Sequence, residues 1–200
     1  MPRDSLASVS DEMLLVLYAN GDPEAARLLT GRLVPRVLGY ATRLLADRAE
    51  AEDVTQEAML RLWKVAADWR TGEAEVSTWL YRVVTNLITD RRRARARRPA
   101  VMLDDVPEVA DGQRAAVTGM IEAERLLALE ETLAQLPDRQ RQAVVLRHIE
   151  GLTNPEIAQI MDVGVEAVES LTARGKRALT ALLSGRKAEL GYEDELEGEA

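Results

Sequence analysis

Thr153-Asn-Pro-Glu-Ile-Ala-Gln-Ile-Met161, the turn Asp162-Val-Gly-Val165 and the amphipathic run that follows to about Leu183 decide how this chain folds. Thr153 and Glu156 have the spacing of a capping box, in which each side chain satisfies the other's orphan amide. A short helix over Pro155–Met161, a tight turn at Gly164 and a longer helix are the signature of a helix-turn-helix. Ala158 suits a close helix crossing, and Val163, Val168 and Leu179 are candidates for the core.

Upstream, the apolar spacing predicts helices over Ile121–Leu133 and, after Pro137, over Asp138–Ile149, with Gly151 as a stop. The N-terminal half reads the same way. A first helix follows Ser10 and stops at Gly21, and Asp22-Pro23-Glu24 supplies a cap, a proline at the first helical position and an acid in the first turn. That second helix is expected to break or kink at Pro35 and to continue from Arg36 to about Ala46. Another runs from about Ala49 to Ala67, with Val54, Ala58, Leu62 and Val65 on one side. Asp68 to Val76 reads as a loop containing Gly72, and Ser77 as the cap of a helix over Trp79–Arg98. No strand pattern occurs, so the expected class is all-α.

Ser77–Arg98 starts as an amphipathic helix with aromatics and ends with six arginines in eight residues. Cations complement a helix C-terminus, which accounts for two or three of them. Six repel one another, and a polyanion is their natural partner because each neutralised phosphate releases counterions. Trp79 and Tyr81, just upstream, read either as a buried aromatic pair or as a platform for unpaired bases. Yet the net charge is −8. Residues 1–100 carry 16 basic against 14 acidic side chains, while 101–200 carry 10 against 20, which implies two modules with different electrostatic tasks.

Between them, 99–118 holds two prolines, a glycine and Asp104, Asp105, Glu108 and Asp111, and reads as a flexible acidic linker. The expected organisation is an N-terminal helical domain over 10–98, this linker, a second helical domain over 119–184 and an acidic tail over 185–200. Residues 189–200, with six acids and two glycines, have the composition of a disordered segment.

No Cys and one His exclude a disulfide framework, a thiolate metal site and a His-rich metal site. His148 reads as a packing or surface residue. Asp53, Gln56 and Glu57 form a polar ridge without a second carboxylate cluster, so no metal, cofactor or catalytic group is expected and the chain does not read as an enzyme. The N-terminus lacks a signal peptide, and no apolar run reaches membrane-spanning length, which points to the cytoplasm without membrane insertion. Glu166 and Glu169 in the recognition helix favour its N-terminus or accept from a base edge. Arg174, Lys176 and Arg177 follow as phosphate contacts.

Two segments resemble the extracytoplasmic-function sigma factors of the sigma-70 family, over about residues 11–184. Ala51-Glu-Asp-Val-Thr-Gln-Glu-Ala-Met-Leu-Arg-Leu-Trp63 with Ser77–Asn86 is similar to sigma region 2, and Leu136–Arg147 through Gly151–Ala158 to region 4. The resemblance implies that Asp53, Gln56, Glu57, Leu60 and Trp63 dock on the clamp coiled coil of the polymerase β′ subunit. It implies that the loop from about Asp68 to Val76 captures a flipped base of the minus-ten element. Trp79, Asn86, Asp90, Arg91 and Arg93 would bind and melt that element. Region 4 would rest on the β flap and place Glu166, Ser170, Arg174, Lys176 and Arg177 near the minus-thirty-five element. The linker would thread toward the RNA exit path, and an anti-sigma factor would cover the polymerase-binding faces. Glu169 and Leu171 depart from the family, which often has a Lys and an Arg there.

The function expected is therefore promoter recognition and melting on behalf of RNA polymerase. Two alternatives stay open: a sigma-like mimic that sequesters an anti-sigma factor, and a stand-alone helix-turn-helix repressor.

Overall fold

Short polar side chains start the helices, because each oxygen can take one of the amides that a helix N-terminus leaves without a partner. The computed structural model describes residues 6, 8–72, 74–97 and 117–185, without the side chains of 117–124. The expected tail over 189–200 lies outside the described residues, as do Arg98 and all of the expected linker up to residue 116. Ser10 accepts from the Met13 amide at the start of α1 (Asp11–Ala19), and Asp22 accepts from Glu24 and Ala25 at the start of α2 (Pro23–Leu45). Asp47 does the same for Glu50 at the head of α3 (Arg48–Val65), which ends in a single 3₁₀ turn over Ala66–Asp68. Then come α4 (Val76–Arg97), α5 (Val117–Ala134), α6 (Asp138–Val144), α7 (Asn154–Met161) and α8 (Val165–Ser184). Among the described residues all regular structure is helical.

Three local expectations are corrected. Pro35 does not break α2, which runs on as one helix of 23 residues. An interior proline costs about 3 kcal/mol. The stripe Ala25, Leu29, Leu33, Val37, Tyr40 and Leu44 is buried on both sides of it, and each large apolar side chain contributes about 1.5–3 kcal/mol. Burial outweighs the local penalty. Ser77 is no cap, since α4 already begins at Val76. The turn before α8 takes its left-handed residue at Asp162 (φ 51°), whereas Gly164 is extended (φ −71°) and is the residue before α8. Asp tolerates that region through its short polar side chain. The capping box is present as expected, with Thr153 and Glu156 satisfying each other's amides.

Past Val144, α6 widens into a π-helical turn over Val145–Ile149, closed by Gly151 in the left-handed region (φ 75°). Gly175 of α8 is buried against α6, and a β-carbon there would sit 2.6 Å from Val144 Cγ2 and 3.1 Å from the Gln140 carbonyl. Close approach of the two helices therefore requires glycine.

The N-terminal and C-terminal helices share one core, with α7 packed on α4. Tyr40 and Tyr81 are fully buried and meet edge to face at 5.1 Å. Gln142 of α6 donates to the Tyr40 and Thr85 hydroxyls at 3.1 and 2.9 Å, and these two hydroxyls are 2.8 Å apart. Burial pushes the Tyr40 phenol up to about 12. Burial also raises Tyr81, whose hydroxyl donates to the Glu150 carboxylate just beyond the π turn.

Arg141 closes this interface. It is 8% exposed and donates to the Leu44 carbonyl at the end of α2 (3.0 Å), to Ala134 (2.7 Å) and to Leu136 (3.1 Å). Burial lowers its pKa and Asp138 opposes that shift, yet a guanidinium stays charged. Lys reaches fewer of these carbonyls than the planar fork does. Arg141→Lys is expected to cost about 1–2 kcal/mol. The measurement is a lower urea midpoint at an unchanged slope.

Candidate nucleic-acid interface

Three surfaces carry the expected binding residues. On α3, Asp53, Gln56 and Leu60 are exposed, and Glu57 and Trp63 are half-buried. Leu60 is 52% exposed. Gln56, Leu60 and Trp63 line a groove of ≈ 340 Å³ with Val34, Leu38 and Met59, between α2 and α3. Asp53 stands outside that lining. Glu57 is engaged within the chain, at 2.5 Å from Arg61 and 3.8 Å from Arg91. Trp63 meets Tyr18 with ring centroids 4.5 Å apart and planes tilted by 54°.

On α4, residues 79, 86, 90 and 93 fall near one face, given 3.6 residues per turn. Trp79 is half-buried and meets Trp69 edge to face at 5.9 Å. The two indoles wall a cavity of ≈ 310 Å³ with Val65, Asp68, Arg70 and Ala74. Asn86 and Asp90 are exposed on the same face. Tyr81 is buried, so of the aromatic pair only Trp79 is available to a base.

The arginine run is divided. Arg91 donates to the Glu50 carbonyl (3.2 Å), Arg95 pairs with the Glu50 carboxylate (2.9 Å), and Arg92 pairs with Asp138 (2.7 Å) and donates to the Leu44 carbonyl (2.5 Å). These three fasten the helix end to its neighbours. Arg93 points outward, 3.8 Å from Asp90, and Arg97 is exposed. The stretch is partly a structural clamp and only partly an open cationic end.

On α8, Glu166, Arg174 and Arg177 are exposed and Ser170 is half-buried. At 3.6 residues per turn these four share one side of the helix. Lys176 lies elsewhere. With His148 it borders an apolar groove of ≈ 310 Å³ lined by Leu129, Val144, Ile149 and Leu179. Burial, then the charges of Lys176 and Arg147, lower the His148 pKa, so the imidazole favours its neutral form. The Glu169 carboxylate accepts a long hydrogen bond from Asn154 (3.4 Å) at the head of α7.

Sequence reasoning passed over Glu12, which reaches from α1 to the loop after α3. Its Oε1 accepts from the Trp69 indole N–H at 3.3 Å and from the Gly72 amide at 2.7 Å. An acid in a first helical turn reads as a dipole partner, and nothing local connects it with a loop residue 57 positions away. Among the described residues no group of three His, Cys, Asp or Glu side chains could hold a metal ion. No helix among them is long and apolar enough to cross a membrane.

Residues 29–98 match sigma-70 region 2, and residues 126–179 match sigma-70 region 4. The RNA polymerase sigma-H factor of Pseudomonas aeruginosa is 31% identical over 190 residues, covering 89% of this chain and 96% of the relative. The ECF RNA polymerase sigma factor SigM of Mycobacterium tuberculosis is 35% identical over 175 residues, covering 87% of this chain and 85% of SigM. Two solved structures share the fold. Sigma factor RpoE of Bartonella quintana, solved with the anti-sigma factor NepR, matches with a TM-score of 0.65 at 21% identity, over 78% of this chain and 94% of RpoE. CnrH, solved with the cytosolic domain of CnrY, matches with a TM-score of 0.64 at 24% identity, over 88% and 97%. On this sequence similarity along nearly its whole length, the chain belongs to the extracytoplasmic-function (ECF) sigma factors of the sigma-70 family.

Proposed function

We propose that this chain joins core RNA polymerase through α3 and the groove beside it, opens the minus-ten element with α4 and the Trp69–Trp79 cavity, and reads the minus-thirty-five element with α8. The observation that carries most weight is on α4, where Trp79, one wall of the aromatic cavity, shares a helix face with exposed Asn86, Asp90 and Arg93. A flipped base costs a few kcal/mol of lost stacking, and an aromatic pocket offsets that cost. The chemistry is binding and strand separation, with no covalent step.

Asp53, Gln56, Leu60 and Trp63 are the residues that meet polymerase, and Glu57 contributes by holding Arg61 and Arg91 in place. Glu166, Ser170, Arg174 and Arg177 face the minus-thirty-five element, and Lys176 belongs to a different surface, the apolar groove that suits the β flap. The units are 10–98 and 119–184, joined by 99–118, and the protein works in the cytoplasm. RpoE was solved bound to the anti-sigma factor NepR, and we assign this chain an anti-sigma partner of the same kind. A net charge of −8 repels free chain from DNA, so promoter contact follows polymerase binding.

Run-off transcription with core polymerase across a promoter library tests the proposal. Promoter-dependent transcripts that need both chain and core are expected. A chain that binds a regulator yet yields no transcript is a mimic. A mobility shift of duplex DNA without polymerase marks a stand-alone repressor.

A further inference from the structure

We propose that Glu12 is a positioning residue for the minus-ten pocket, holding its Trp69 wall in a base-ready shape although it lies on α1, outside the promoter-facing helix. The inference rests on the reading of the Trp69–Trp79 cavity as a base-capture pocket. Trp69 is one wall of that cavity. An indole N–H only donates, so its acceptor determines how the ring is turned. Here the acceptor is the Glu12 carboxylate, and the same oxygen takes the Gly72 amide.

Gly72 has φ 83°, a conformation that glycine adopts without strain, and it presents its N–H to Glu12. One carboxylate oxygen thus fixes both the ring and the turn three residues beyond it. The 3₁₀ turn Ala66–Asp68 that precedes Trp69 packs on α1, so the acceptor and the segment it holds share one support. The edge-to-face angle of 82° between Trp69 and Trp79 leaves the cavity open between them. Without Glu12 the ring and turn would be ordered only as the base enters, and that ordering subtracts from affinity. Stabilising the α1 dipole would account for an acid at this position. It does not account for two donors arriving from a loop about sixty residues further along the chain.

The test uses holoenzyme reconstituted from the full chain and core polymerase, on forked templates whose minus-ten strand is single-stranded. An abasic nucleotide is scanned across that strand. Wild-type holoenzyme is expected to lose about tenfold in affinity at one position, the stacking of a single base. Glu12→Ala should bind the intact fork about tenfold more weakly and lose nothing further at that position. Its affinity for core polymerase and its thermal midpoint should stay near wild type. Glu12→Gln, which keeps an acceptor oxygen, should recover most of the loss. Trp69→Phe, which keeps a ring without the N–H, should be non-additive with Glu12→Ala.

Unchanged abasic discrimination in Glu12→Ala overturns the assignment. So does a matching loss of core affinity, which would make Glu12 a residue of the fold alone. A wild-type holoenzyme insensitive to every abasic position removes base capture itself, and the role of Glu12 falls with it.

Discussion

Gly175→Leu is expected to leave the C-terminal helices unable to pack, with promoter-dependent transcription lost and the helical circular-dichroism signal reduced at 25 °C. A β-carbon alone would stand 2.6 Å from Val144 Cγ2, inside contact distance, and 3.1 Å from the Gln140 carbonyl oxygen. The methyl of Val144 can turn aside, but Gln140 offers backbone, which cannot. Overpacking by one small group costs about 1–3 kcal/mol. Against that stands the gain of about 1 kcal/mol when helical glycine becomes alanine. Gly175→Ala is therefore expected to lose up to about 2 kcal/mol net, the clash outweighing the propensity. Leucine adds three more carbons to the same gap and exceeds what a marginally stable unit tolerates, about 5 kcal/mol. Adding Val144→Ala to Gly175→Ala removes the nearer clash and should recover about 1 kcal/mol, a coupling that thermal or urea unfolding of the four chains reads directly. Additive effects would place the cost on the Gln140 backbone rather than on the Val144 methyl.

Gly175 also marks where sequence reading stops. A glycine inside a helical pattern shows a propensity penalty, while its reason, Val144 and Gln140, lies on another helix with no signal between them. Elements with local causes were legible: the Thr153–Glu156 box, the Asp22-Pro23 start of α2, and buried Ala158 and Val168 of the helix-turn-helix. Pro35 was misread because its penalty is local and the burial that outweighs it is not. Asp162 was overlooked because Gly164, two residues on, is the more permissive residue for a left-handed turn. In the candidate site, composition displays the charge of the arginine run but not its allocation. Arg91, Arg92 and Arg95 are fastened to α2, α3 and α6 by partners no spacing rule connects, and Arg93 and Arg97 are left outward. Lys176 shares a basic cluster with Arg174 and Arg177 in sequence and parts from them in space, since a step of one or two residues rotates a side chain far round the helix.

Trp79→Ala is expected to reduce run-off transcription from duplex promoters about 100-fold while leaving affinity for core polymerase unchanged. Two losses add. Removing an aromatic platform forfeits about 1–3 kcal/mol per stacked base. The edge-to-face contact with Trp69 contributes about 0.5–1.5 kcal/mol to the shape of the cavity. Together they approach 3 kcal/mol, and about 1.4 kcal/mol is a factor of ten. Trp79→Phe keeps a smaller ring and should fall between. A template whose minus-ten region is already unpaired separates capture from folding. There the few kcal/mol of unstacking have been removed beforehand, so saturating holoenzyme fills even a weakened pocket. The defect should then shrink to less than about tenfold. A pocket that matters because it helps to separate the strands must lose importance once they are separate. A defect of equal size on both templates would assign Trp79 to the packing of α4 against the Trp69 loop rather than to the base.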